Sequence, residues 1–256
     1  MSHTIVTMSR GDAHHIAEWV DHHARLGFDD FQVVLDGDVD DTERVLRSLD
    51  VPAQVTVHRR QEIGEYYDGL PPAERRHRVL EWRREHADQL ASGIMRGFDA
   101  LSWRQHLHFP EVLAPYAEGA RGRGWLTLID VDEFLVLTAH SSIGALTDEA
   151  TTPRLRFLNF NVDTRGHDPS LPMLEQHSLR WSREDLLAYP DPQWARRVKS
   201  LVRYRCARLT WNVHKVSQGR HTQLDPDLAR LLHFKIPAQL DLGIPYTVFD
   251  PVRLPR

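Results

Sequence analysis

Cysteine is nearly absent from this chain: Cys206 stands alone among 256 residues. An intramolecular disulfide is therefore impossible, and a cysteine-based structural zinc site is excluded. Long apolar runs are absent too. No stretch approaches the roughly 20 residues that a membrane-spanning helix needs. Met1 to Val6 lacks the basic and apolar regions of a secretory signal, so the expectation is a cytoplasmic protein without an integral membrane segment. An excess of positive charge is also missing. The formal net charge is −4 with histidine neutral, which leaves no global field to gather nucleic acid. Internal repeats and low-complexity segments do not occur.

What is present suits a globular α/β protein. Hydrophobic residues make up 41% of the chain and charged residues 27%, enough for a sizeable core under an ordinary surface. Arg75, Arg76, His77, Arg78, Arg83 and Arg84 form a local basic cluster, expected to be the solvated face of a helix; the other reading is a seat for an acidic acceptor. The 16 histidines are mostly scattered among arginines and acids, in segments that look exposed.

The first third alternates strand and helix. Thr4 to Met8 is a short β-branched run, followed by the turn-rich Ser9-Arg10-Gly11-Asp12. Ile16, Trp19, Val20, His23 and Leu26 lie at helical spacing, and Gly27 suits a C-terminal stop. Phe31 to Leu35 is an apolar strand, Thr42 to Leu49 a helix and Ala53 to His58 a third strand. This order implies parallel pairing with right-handed crossovers. Ligands of such sheets bind beyond the carboxyl ends of the strands. Ser9, Asp36, Arg60 and Gln61 are thereby expected on one rim.

Further on, Tyr66 to Gly119 reads as helices broken at Leu70-Pro71-Pro72 and near Phe109-Pro110. Trp125 to Ile129 is a strongly apolar strand, and Phe134 to Leu137 a short extended piece. Arg154 to Val162 alternates as a strand does. Arg165 to Pro192 looks like loop, Lys199 to Arg205 and Leu209 to Val216 like strands, and Asp227 to Leu232 like a short helix before His233-Phe234-Lys235.

The chemistry concentrates at Asp130-Val131-Asp132-Glu133. Two carboxylates one residue apart, after a buried strand, can converge on one ligand. Hard oxygen donors suit Mg2+ or Mn2+, which bind diphosphates well. Asp36 ends an internal strand and could accept a hydrogen bond from a base or ribose, while Asp41 suits a helix cap. His214 and His233 lie near element ends, where a neutral imidazole could complete a metal shell. His15, Glu18 and His22 share a helical face, read as polar surface beside Trp19 rather than as a zinc site.

These residues carry a resemblance. Ala17-Glu18-Trp19-Val20, His23, Leu26-Gly27-Phe28 and the following Asp36 and Asp41-Thr42 look like the opening of the GT-A glycosyltransferases of families 2 and 92. Trp125 to Leu135 is similar to the Asp-Val-Asp-Glu-Phe signature of that group. Lys199-Ser200-Leu201-Val202-Arg203 and His233-Phe234-Lys235 resemble its later segments. Where the family usually has Lys-Asn-Glu after its first strand, this chain has Ser9-Arg10-Gly11-Asp12; Gly37 and Val39 also depart from its loop pattern.

The resemblance implies a GT-A type α/β fold: a Rossmann-like, mainly parallel sheet flanked by helices, with a C-terminal acceptor-side portion. It implies one domain over 1–256, in which 1–137 binds the nucleotide sugar and 138–256 the acceptor. It implies a Leloir hexosyltransferase using Mn2+ or Mg2+, with a donor taken as a UDP-sugar from family frequency and a hydroxyl-bearing glycan or small molecule as acceptor. Ser9, Asp36, Gln61 and Asp130 would contact the nucleotide. Asp130 and Asp132, with His233 and His214, would serve the metal. Inverting transfer also needs a carboxylate to deprotonate the acceptor. Asp163, after a strand, is the first candidate; Asp185, which also suits the first turn of a helix capped by Ser182, is the second, and Glu133 the third.

Two other readings fit parts of the pattern. A haloacid dehalogenase-like phosphohydrolase would use Asp130 as nucleophile, although Phe134 stands where that class has threonine or valine and Asp130 lies mid-chain. A non-catalytic homologue would bind nucleotide without turnover. The transferase reading predicts no hydrolysis of an aryl phosphate such as p-nitrophenyl phosphate in Mg2+. Turnover that disappears in Asp130→Asn would favour the phosphohydrolase.

Overall fold

The computed structural model describes residues 1–191, 197–212, 215–216, 219–236 and 243–252. The first half runs β1 (Ser2–Ser9), α1 (Ile16–Arg25), β2 (Asp30–Asp36), α2 (Thr42–Arg47), β3 (Gln54–Arg60), α3 (Pro72–Glu85), α4 (Ala87–Ala91), α5 (Ala100–Ala117) and β4 (Gly124–Leu128). Then follow β5 (Glu133–Leu137), α6 (Ile143–Asp148), β6 (Arg154–Asn161), α7 (Met173–Gln176), β7 (Leu179–Trp181), α8 (Arg183–Ala188) and β8 (Val198–Arg203). A 3-10 turn (Tyr204–Leu209) leads to β9 (Thr210–Asn212), β10 (Lys215–Val216), β11 (Thr222–Gln223), β12 (Ala229–His233) and β13 (Tyr246–Phe249).

Nine strands form the main sheet in the order β3-β2-β1-β4-β8-β6-β12-β5, with β11 also on β6. The expected α/β class and mainly parallel sheet are present. β1 to β4 pair in parallel, β8 runs antiparallel between β4 and β6, β12 is parallel to β6, and β5 is antiparallel to β12. Following these directions, the carboxyl ends of β4, β6 and β12 and the amino ends of β8 and β5 meet on one rim. The sheet crosses the 137/138 division without a break.

Strand alternation builds two cores. Ile5, Phe31 and Val33 face α1 with Trp19 and Val20; Val6, Met8 and Val34 face α5 with Phe109, Val112, Leu113 and Tyr116. Burial on that face carries α5 straight through Pro110 and Pro115, so the expected break at Phe109-Pro110 does not occur. The helix starts at a capping box, where Asp99 accepts from Ser102 N at 2.8 Å and Ser102 Oγ accepts from Asp99 N at 3.0 Å.

Other expectations are corrected. Asp227 to Leu232 is not a helix: Ala229–His233 is a central strand, buried throughout. A strand covered on both faces has no period-2 signature, so five apolar-rich residues do not distinguish it from helix. Arg165 to Pro192 contains α7, β7 and α8, and Leu209 to Val216 holds two short antiparallel strands rather than one. Asp40, not Asp41, bonds the start of α2, accepting from Thr42 N at 3.0 Å. The arginines of α3 and His77 are all exposed.

Several histidines are buried rather than solvated, and two of them hold the sheet's edge. Among the described strands β5 pairs only with β12, leaving its other side to α1. Trp19 Nε1 donates to Glu133 O at 2.8 Å, His22 Nε2 to Leu135 O at 2.8 Å, and His23 Nε2 accepts from Leu135 N at 3.2 Å. Side chains of a helix thus satisfy backbone groups that an edge strand leaves open. His23 Nδ1–H donates to Trp19 O at 2.8 Å, so both ring nitrogens are used by the neutral form.

Burial pulls His22 down to about 4, and His23 well below its ordinary value. Below pH 6.5 the unfolded chain therefore binds protons that the folded chain refuses, and stability is lost as pH falls toward 4. His22 alone is expected to cost about 2 kcal/mol at pH 5. Urea midpoints between pH 7.5 and 5 should show this loss, and His22→Gln should flatten it.

Candidate active site

The tightest cluster on the rim surrounds a buried lysine. Lys199 is the second residue of β8, fully buried, with Nζ 2.8 Å from Asp130 Oδ2 and 2.8 Å from Glu133 Oε2. Burial alone would lower its pKa, but the two carboxylates outweigh that and hold it above the usual value. Glu133 opens β5. Its Oε1 accepts from Asn159 Nδ2 at 2.5 Å and its Oε2 from Asp130 N at 3.0 Å. The Asp130–Glu133 turn closes with Glu133 N donating to Asp130 O at 3.1 Å.

Asp132 projects from this braced turn and is 29% exposed. His233, the last residue of β12, places Nε2 3.0 Å from Asp132 Oδ2. The other ring nitrogen lies 3.3 Å from an Arg197 nitrogen and 3.7 Å from Glu133 Oε1. Burial opposes ionisation of Asp132, yet His233, Lys235 and His15 hold its carboxyl well below the usual range. Burial, with Arg197 close by, lowers Lys235 to about 8.

Asp132 and His233 could supply an oxygen and a nitrogen to a divalent ion. Asp130 is tied to Lys199, and His214 lies outside the described residues. Among the described residues no three metal-ligating side chains are gathered into a cage.

The nucleotide candidates are placed differently from one another. Gln61 lines an open cleft of about 770 Å³ with Leu35, Gly37, Val39, Arg59 and Arg60, beyond the ends of β2 and β3. Ser9 Oγ donates to Asp12 Oδ2 at 2.7 Å. Asp36 is fully buried and takes Arg104 Nε at 2.6 Å and Tyr66 OH at 3.1 Å. Its carboxylate is thus engaged inside the fold, while Leu35 and Gly37 on either side of it line the cleft. Tyr66 is stacked between the guanidinium groups of Arg10 and Arg104, at 3.8 and 4.0 Å. Arg10 Nη1 also donates to Asp36 O at 2.7 Å.

Of the acid–base candidates, Glu133 is 0% exposed and fully engaged, so no acceptor hydroxyl can meet it. Asp185 bonds Ser182 Oγ at 2.6 Å, and its N–H donates back to that oxygen at 2.9 Å, which caps α8. Asp163 follows β6 on the His233 rim, where Val162 N donates to His233 O at 3.0 Å. Arg165 holds the Asp163 carboxylate, and that arginine is 75% exposed.

Several contributors were invisible as site residues in the sequence. Lys199 belonged to a noted segment without a role, and Asn159, Arg197 and Arg104 carried no local signal. Asp12, in the departing Ser9-Arg10-Gly11-Asp12 corner, is pushed up to about 7 by burial, with Asp132 and Asp40 adding to the rise. Its position at the end of β1 was the available clue.

No protein-family model matches the chain, and no curated protein matches it. Among solved structures, S. aureus TarS is 12% identical over 93% of this chain and 37% of its own, with a TM-score of 0.44. The structure of S. aureus TarS 1–349 in complex with UDP is 12% identical over 93% of this chain and 61% of its own, TM-score 0.45. The S. cerevisiae mannosyltransferase Ktr4p is 12% identical over 61% of this chain and 39% of its own, TM-score 0.31. The chain thus spans less than two thirds of each of these solved chains. Such scores describe a partial likeness of chain path; what the rim can bind is decided by its own side chains.

Replacing Lys199 tests the brace. Lys199→Met leaves Asp130 and buried Glu133 repelling each other, at an expected cost of about 3–5 kcal/mol. Urea unfolding should show this, and adding Glu133→Gln should recover part of the loss.

Proposed function

We propose that the chain is a metal-dependent glycosyltransferase that moves a sugar from a nucleotide donor, in the first instance a UDP-sugar, to an acceptor hydroxyl with inversion. The observation that carries this reading is the Asp132–His233 pair, in which Asp132 is 29% exposed and His233 is buried. It stands on a turn braced by Lys199, on the rim that also carries the open cleft beyond β2 and β3. The cleft offers room for the nucleoside, and the pair offers ligands where a diphosphate would follow.

Asp132 Oδ2 and His233 Nε2 are the atoms assigned to hold Mn2+ or Mg2+. When bound, such an ion offsets the negative charge that grows on a leaving nucleoside diphosphate. Lys199 holds Asp130 Oδ2 at 2.8 Å, so Asp130 braces the turn that carries Asp132. Glu133 braces the turn from below, and Arg197 meets His233 at Nδ1.

Asp163 is the residue assigned to take the acceptor proton. It follows the strand beside His233, and its partner Arg165 is exposed enough to leave it when an acceptor enters. Gly37, Arg60 and Gln61 are assigned to the donor side, while the 138–256 half supplies His233 to the metal and Asp163 to the acceptor side. The lone Cys206 fits a cytoplasmic setting; no described helix is long and apolar enough to cross a membrane.

Release of nucleoside diphosphate from a panel of nucleotide sugars, with Mn2+ and with chelator, tests the proposal. Asp132→Ala is expected to lower metal-dependent release roughly 100-fold or more; unchanged release would sink the metal assignment. Asp163→Asn should lower kcat with KM for the donor nearly unchanged. In the same assay, a nucleoside diphosphate with Mn2+ should raise the apparent Tm of the wild-type chain.

A further inference from the structure

The arginine-rich segment of the sequence is α3, and its two sides differ. Val79 and Trp82 turn inward and pack with Tyr67, Met95, Ala100 and Trp103 in a core separate from the two cores of the main sheet. Arg75 and Arg78 lean to the same inner side. Arg78 pairs with Glu65 at 2.6 Å, and the Arg75 guanidinium lies 5.9 Å from the Tyr67 ring centre. Helical spacing puts Arg76, Leu80, Arg83 and Arg84 in one stripe on the opposite side.

All four stripe residues are exposed, and Leu80 keeps 54% of its surface in water. Glu74, Glu81 and Glu85 fall on one flank, so no carboxylate stands on the stripe itself. Glu81 is already engaged, by His77 at 3.3 Å, Arg78 at 3.4 Å and Arg84 at 3.8 Å. Arg76 and Arg83 form no ion pair among the described residues. Beyond α4 the chain turns at Gly93 and Gly97, both at positive φ. The turn is fixed by its backbone: Met95 N donates to Gln89 O at 3.0 Å, and Phe98 N to Ser102 Oγ at 2.8 Å. Met95 packs into the core with Trp82, whereas Ile94 is 84% and Phe98 51% exposed. One small unit thus shows water three large apolar side chains and two arginines without partners.

We infer that the outer face of α3, with the turn between Gly93 and Gly97, docks the protein peripherally on an anionic bilayer surface. Arginines at headgroup depth pair with lipid phosphates, while Leu80, Ile94 and Phe98 meet the acyl boundary. A soluble polyanion would satisfy the arginines alone and leave the apolar side chains in water. The net charge of −4 gives the chain as a whole no attraction to such a surface, so contact is confined to the local stripe. Tyr66 and Asp68 join this unit to Arg10 at the rim: the Tyr66 ring lies under the Arg10 guanidinium at 3.8 Å, and Asp68 accepts from Arg10 Nε at 2.5 Å. A docked chain therefore keeps its proposed site near the membrane.

Flotation of the full chain with vesicles of phosphatidylcholine alone, and of phosphatidylcholine with equimolar phosphatidylglycerol, tests this. The wild-type chain should float with the anionic vesicles, stay behind with the neutral ones, and be released as salt rises. Arg76→Gln combined with Arg83→Gln should weaken binding about 10-fold or more. Ile94→Ser should weaken it about 10-fold through lost apolar contact. These side chains are exposed, so thermal melts of both variants should match the wild type. No binding to anionic vesicles, or binding unchanged in either variant, would overturn the proposal. So would soluble polyglutamate bound as tightly as the vesicles and unaffected by Ile94→Ser, a result that assigns an acidic protein partner in place of the bilayer.

Discussion

The rim is organised around one buried ammonium. Lys199 enters from β8, the antiparallel strand between β4 and β6, and lies within hydrogen-bond distance of two carboxylates from the turn between β4 and β5. Without that cation, Asp130 and Glu133 would stand next to each other as uncompensated charges in a low-dielectric setting. With it, the turn is braced from within, and Asp130 and Asp132 are each 29% exposed on its outer side. Lys199 engages the first of these aspartates and His233 the second.

The same turn is held from behind by α1. Three contacts, from Trp19, His22 and His23, attach the backbone of β5 to that helix. An edge strand ordinarily presents open hydrogen-bonding groups; here buried aromatic and imidazole side chains occupy them. Glu133 is thus fixed through its backbone by α1 and through its carboxylate by Lys199 and Asn159. Stability and site geometry are coupled at this point, because the histidines that seal the edge are also the groups that resist protonation.

Charge is distributed unevenly around the site. On the β2 side, Asp36 is neutralised within the fold by Arg104, and Tyr66 is stacked between the guanidinium groups of Arg10 and Arg104. On the β12 side, Arg197 reaches the His233 ring, and His233 in turn meets Asp132.

The strand–helix alternation of the first 60 residues was legible in the sequence because β-branched runs and the helical spacing of Ile16, Trp19 and Val20 are local signals. The prominence of Asp130 and Asp132 was legible too, as was His233 as a candidate. β12 was not, since a strand covered on both faces looks like any short apolar run. Nor could the sequence separate Asp36, fully buried and consumed by Arg104 from 68 residues away, from Asp132, which stays 29% exposed beside His233. The identity of the strands and the presence of the acidic turn were determined by the sequence itself. Which carboxylates are occupied was decided only by tertiary structure, because ion pairing depends on side chains that pairing of the sheet brings together from distant positions.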